Sequence, residues 1–83
     1  MDNQLKINLM TISREAIQEA ERAMNKYPRP YASCHEFYAV FQEESEELWD
    51  EIKKKEENRD MEAMRKEAIQ CMAVLLRFIN QIK

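Results

Sequence analysis

Residues 41–48, FQEESEEL, set carboxylates where an amphipathic helix would carry leucines. With a rotation of about 100° per residue, Phe37, Phe41, Leu48 and Ile52 fall on one apolar stripe with Val40 at its edge, and Glu44 falls at its centre. Glu47 lies one turn further on, at the flank of the same face, whereas Glu43 and Glu46 turn towards water. An ionised carboxylate carried into an apolar interior is costly unless it is protonated, paired with a cation or bound to a metal. Something in the folded protein has to answer Glu44.

Outward from this stretch the helix boundaries become readable. Ser33 to Glu36, S-x-x-E, forms a capping box that starts the helix carrying Glu44. That helix is predicted to run to about Glu57 and to give way in the polar segment EENRD, where Asn58 or Asp60 is placed to cap the next one. The last helix has Met64, Cys71, Val74, Phe78 and Ile82 as its stripe, with Glu67 at the centre and Gln70 one turn on at the flank. The two helices repeat one device: an acid inside an apolar stripe, with a polar residue three positions later. Upstream, Leu5, Leu9, Ile12, Ala16, Ala20, Ala23 and Tyr27 share a narrow face opposite Arg14, Gln18, Glu21 and Arg22, which makes a first amphipathic helix. Asp2 or Asn3, or else Thr11 or Ser13, starts it. Pro28 and Pro30 end it near Tyr27, and YPRPYAS follows as a short aromatic connector.

The chain has 83 residues, no glycine, and only two prolines, both in that connector. The expectation is a single all-α domain of three main helices, an antiparallel bundle whose core is small enough to call for a metal or a second subunit. Residues 68–79 are almost entirely apolar, and Ile69, Met72, Leu76 and Ile79 lie on the side away from Glu67. One chain of three helices is not expected to cover both sides, so the bundle should be completed by another copy, as a homodimer or homotetramer. The net charge of −3 is spread over interspersed charges of both signs, which leaves no basic footprint for a nucleic-acid polymer. Cys34 and Cys71 are far apart, without a C-x-x-C spacing, and fall on apolar faces as inert thiols. With no signal-like opening and no apolar run long enough for a bilayer, a soluble cytoplasmic protein away from membranes is expected.

EESEEL, residues 43–48, resembles the E-E-x-x-E-L motif of the MazG-like, all-α nucleoside triphosphate pyrophosphohydrolases. Glu67 to Gln70 resembles their downstream E-x-x-D, with Gln in place of Asp, and the similarity is greatest to short phage and prophage members. The resemblance implies a MazG-like fold in which Glu44, Glu47, Glu67 and the Gln70 position hold Mg2+ or Mn2+. It further implies a nucleoside triphosphate substrate, split by water into a monophosphate and pyrophosphate, with Glu43 or Glu47 orienting that water. Gln70 can still offer a carbonyl oxygen, but the site then has three negative charges in place of four, which weakens its hold on a divalent cation. The competing reading is a helical phage-type protein that keeps the fold and binds a nucleotide or a protein without turnover.

Each candidate has a plainer counterpart. Glu44 and Glu67 could be ion-paired with Lys or Arg. Lys53, Lys54, Arg65, Lys66 and Arg77 are cations available to clamp a triphosphate, or else ordinary solvated charges. Tyr31, Phe37, Tyr38 and Trp49 could stack on a base or pack in the core. His35 turns to the side opposite Glu44 and belongs to the cap region.

Overall fold

The computed structural model of the protein describes residues 2–83. Within them the chain forms three α-helices, α1 (Asn3–Lys26), α2 (Cys34–Ile52) and α3 (Met61–Ile82), with a 3-10 turn at Glu56–Asn58 and no strand. The starts are fixed by short side chains that accept free backbone N–H groups. Asp2 accepts from Gln4 and Leu5 at 2.8 and 3.1 Å, which settles the start of α1 in favour of the earliest site. Ser33 accepts from Glu36 at 3.0 Å, and Asp60 from Glu62 and Ala63. Glu36 completes the cap by accepting from Ala32.

Contrary to the sequence reading, α2 stops at Ile52 rather than near Glu57. The Arg59 guanidinium reaches back and donates to the Ile52 carbonyl oxygen at 2.9 Å, satisfying a helix-end acceptor from outside the helix. The chain then closes a tight turn through Asn58 N–H to Lys55 O and Arg59 N–H to Glu56 O.

Both α1 and α2 pack on α3 and not on each other. Three contacts, Arg65 to Glu15, Gln70 to Glu19 and Arg77 to the Tyr27 carbonyl, ascend together along the two segments, so α1 runs parallel to α3. Phe37 stacks on Phe78 while Glu47 meets Glu67, so α2 is antiparallel to it. The result is an up-down-up arrangement with α3 in the middle and an open angle between the outer helices. Where α1 meets α3 the buried residues are Ala16, Ala20 and Ala73, small enough for close approach. Where α2 meets α3 the core is Tyr31, Phe37 and Val74, surrounded by Val40, Phe41 and Phe78. The Phe37 and Phe78 ring centroids are 3.8 Å apart, and Tyr31 meets Phe37 edge-on at 5.6 Å. Gln81 holds the connector down, accepting from Tyr31 N–H and donating to Tyr31 O.

On the side of α3 away from Glu67, Leu76 and Ile79 stay exposed as expected, with Leu75 beside them, whereas Ile69 and Met72 are half-buried. Two expectations change. The expected α1 face is buried only in its middle: Leu5 and Leu9 are exposed, because paired positions differ by about fifty and α3 begins too late to reach them. Cys34 is exposed at the start of α2, not buried, and Cys71 is half-buried. The accessible surface is 6554 Å², against about 5,200 Å² for a compact folded chain of this mass. The radius of gyration is 14.3 Å, against about 12 Å for a compact domain of this length. No helix among the described residues is long and apolar enough to cross a membrane.

Since one aromatic stack joins α2 to α3, truncating it should be the costliest single change. Phe37→Ala is expected to lower stability by about 3 kcal/mol, whereas Tyr38→Ala, at a 60% exposed position, should stay within about 0.5 kcal/mol. Urea midpoints of the two variants measure this; equal losses would place the core elsewhere.

Candidate metal centre

Helix α2 presents Glu44 and Glu47 to α3 because they sit three residues apart on its packed face, and the antiparallel run of α3 brings Glu67 to meet them. One carboxylate oxygen from each of the three lies within 4.8 Å of the others. Glu44 and Glu67 are half-buried, and Glu47 stands at the exposed rim. The Glu47 carboxyl is a close neighbour of both the others.

Among the described residues, no cation is paired with them. The ion pairs among the described residues are Arg22 with Glu19, Arg29 with Glu36, Lys53 with Asp50, Lys54 with Glu51, and Arg65 with Glu15. The plainer reading of Glu44 and Glu67 as members of buried salt bridges is therefore not what the fold contains. Glu67 Oε2 is buried with no hydrogen-bond partner, and an orphaned carboxylate oxygen is costly. Burial raises the Glu44 carboxyl above its ordinary range, and the charges of Glu47 and Glu67 raise it further. Burial likewise raises Glu67, followed by its contact with Glu47, with Lys66 pulling weakly the other way. The half-buried Cys71 thiol is pushed up by burial and then by the same three acids. Oxygen-only donors with a free lone pair in a partly dry site match the needs of a hard divalent cation.

The other predicted site residues are placed differently. Gln70 is turned to α1, where its Nε2 donates to Glu19 at 2.8 Å. Contact with Arg22, then with Gln70, holds the Glu19 carboxyl below its ordinary range. Glu43 is exposed and lines a cleft between α1 and α2, about 760 Å³ in volume, which Glu44 also borders. Its floor is Gln70, Ala73 and Val74 of α3. Its walls carry four cations, Arg22, Lys26, Arg29 and Arg77, facing Glu36, Glu43 and Glu44. Arg77 lies over the Tyr31 ring at 4.9 Å, and Lys26 lies 5.4 Å from the Tyr27 ring.

Of the cations offered by the sequence for a phosphate clamp, only Arg77 reaches this cleft. Lys53, Lys54 and Arg65 are committed to Asp50, Glu51 and Glu15, and Lys66 lines the adjoining groove between α1 and α3, which shares Arg22 and Gln70 with the cleft. Tyr31 lines the cleft and Phe37 is core, while Tyr38 and Trp49 are exposed and do not border it. Arg22, Lys26 and Arg29 were not singled out by sequence reasoning: two share a flank of α1, but nothing local shows that this flank looks across at α2. Glu51 was missed as well. Its charge adds to the rise at Glu67, and its spacing of four from Glu47 was the signal that could have found it.

Compared with protein-family models, curated proteins and solved structures, the chain matches none.

The crowding of acids sets a pH dependence in the metal-free protein. The folded state holds protons on Glu44 and Glu67 more tightly than the unfolded chain does, so their stabilising contribution is full below the ordinary carboxylate value. It is lost as the pH rises through the raised folded values. In a chelator, Glu44→Gln should melt higher than wild type at neutral pH, by about 4–8 °C for each kcal/mol relieved. The difference should vanish as the pH is lowered towards the ordinary carboxylate range. A variant that melts lower than wild type at neutral pH would mean that Glu44 is answered by a cation of the protein itself.

Proposed function

We propose that the chain is a MazG-like, divalent-metal-dependent nucleotide pyrophosphohydrolase. The observation that carries this reading is the joining of three unpaired carboxylates, through Glu44, to a nucleotide-sized cleft lined by four cations. Glu44, Glu47 and Glu67 would hold Mg2+ or Mn2+, and Gln70 keeps a carbonyl oxygen available while its amide is bonded to Glu19. A divalent cation bound there would clamp phosphate oxygens and make water a better nucleophile. The chain's own residues do the rest. Lys26 and Arg77, without a carboxylate partner among the described residues, neutralise a triphosphate entering between α1 and α2, joined by Arg22 and Arg29 once these leave Glu19 and Glu36. Glu43, exposed on the same wall, is placed to accept the proton of the attacking water, with Glu47 at the rim as the second candidate. The ring of Tyr27, 59% exposed, offers a face for a base. A second copy, as homodimer or homotetramer, would cover the open side of α3.

The reading of a nucleotide-binding protein without turnover draws on one observation, the Gln70 amide bonded away from the acids. Two measurements separate the possibilities. Mg2+ or Mn2+ should raise the melting temperature, by the equivalent of about 2.7 kcal/mol at one hundred times the dissociation constant, and Glu67→Gln should abolish the response. A response that survives in Glu67→Gln would exclude Glu67 as a ligand. A screen of NTPs and dNTPs for metal-dependent pyrophosphate release then decides turnover, and silence across the panel in a protein that binds metal favours the binding-only reading.

Gln70→Asp adds a fourth carboxylate while removing the donor to Glu19. It should tighten Mg2+ in calorimetric titration and lower the stability of the metal-free protein. An unchanged affinity would show that position 70 serves α1 alone.

A further inference from the structure

Tyr31 is only 7% exposed, and its hydroxyl is buried with no hydrogen-bond partner among the described residues. A buried phenol left unbonded is costly, and a phenylalanine would fill the same space without that cost. Everything else about the residue is satisfied. Gln81 grips its backbone through both N–H and carbonyl, Phe37 meets its ring edge-on at 5.6 Å, and the Arg77 guanidinium lies over the ring, 4.9 Å from its centroid. Burial pushes the phenol above its ordinary range; Arg77 draws it down, and Glu36 and Glu44 push it up again. All three line the cleft between α1 and α2 together with Tyr31, so the hydroxyl faces that side and remains a protonated donor.

We propose that the Tyr31 hydroxyl and the Arg77 guanidinium are paired donors for one phosphate group of the ligand, a seat apart from the three acids. The proposal rests on the reading of the cleft as a polyphosphate site and adds to it a residue that fixes where the polyphosphate lies. Tyr31 supplies direction, because its backbone and ring are held before the ligand arrives. Arg77 supplies charge. Among the described residues it makes one hydrogen bond, to the Tyr27 carbonyl at 3.3 Å, and no ion pair, so it is free to turn onto an oxyanion and leave the ring beneath it open. A phosphate has oxygens enough for both donors. A sugar hydroxyl or a base carbonyl would take the phenol and leave the guanidinium unanswered.

Calorimetric titration of pyrophosphate into the full chain in a chelator, wild type against Tyr31→Phe, tests this. The variant should bind pyrophosphate about tenfold more weakly, yet melt higher than wild type by about 4 °C or more in the ligand-free state, because its orphaned hydroxyl is gone. A loss of affinity joined to a gain in stability is a signature that a merely structural hydroxyl would not give. Equal affinities in the two proteins would overturn the inference alone, whereas a wild type that binds no pyrophosphate with or without Mg2+ would overturn it together with the reading of the cleft. A variant that melts lower would also overturn it, since the hydroxyl would then already have a partner such as Glu44 in the empty protein. So would a variant weakened towards a nucleoside but not towards pyrophosphate, which would move the acceptor to the sugar or the base.

Discussion

Three carboxylates held within 4.8 Å of one another, with no lysine or arginine paired to any of them, constrain everything around them. Like charges at that separation repel, and partial burial of Glu44 and Glu67 makes the repulsion stronger than it would be in water. The attraction between α2 and α3 that overcomes it is placed at one end, in the stack of Phe37 on Phe78 and the packing of Tyr31 and Val74. One end of the helix pair is glued by aromatic rings and the other is left electrostatically unsatisfied. A fold that tolerates such a cluster either protonates it or meets a cation there.

The outer helix α1 gives the cluster a setting. Because α1 touches α3 but not α2, the angle between them stays open, and Glu43 and Glu44 face the basic flank of α1 across it. Acids on one wall and cations on the other make a place suited to a metal-bearing polyphosphate, which needs both. Gln70 sits where the two halves meet. Its amide is spent on Glu19, which is itself held by Arg22, so the polar floor of the cleft is tied to α1 rather than to the acids.

Much of this was legible in the sequence where the cause is local. Asp2, Ser33 and Asp60 cap because short polar side chains meet free N–H groups within three residues, and the two prolines stop α1 for equally local reasons. Glu44 and Glu67 announced themselves by standing inside apolar stripes, and helix periodicity alone put each on the packed face of its own helix. What escaped depended on distance. The end of α2 is set by Arg59 reaching Ile52 across the turn, against a run of good helix formers. The exposure of Leu5 and Leu9 follows from the register of α1 on α3, which no single helix contains. Arg22, Lys26 and Arg29 became a group only once α1 was seen to lie across the cleft from α2.

The central claim is that the three acids are a cation site and not a repulsive accident. Crystals grown with Mn2+ and measured at its absorption edge test it most directly. The account predicts an anomalous peak bounded by oxygens of Glu44, Glu47 and Glu67. A protein that takes up no manganese there, with Lys or Arg side chains swung in to pair with the carboxylates instead, would contradict it.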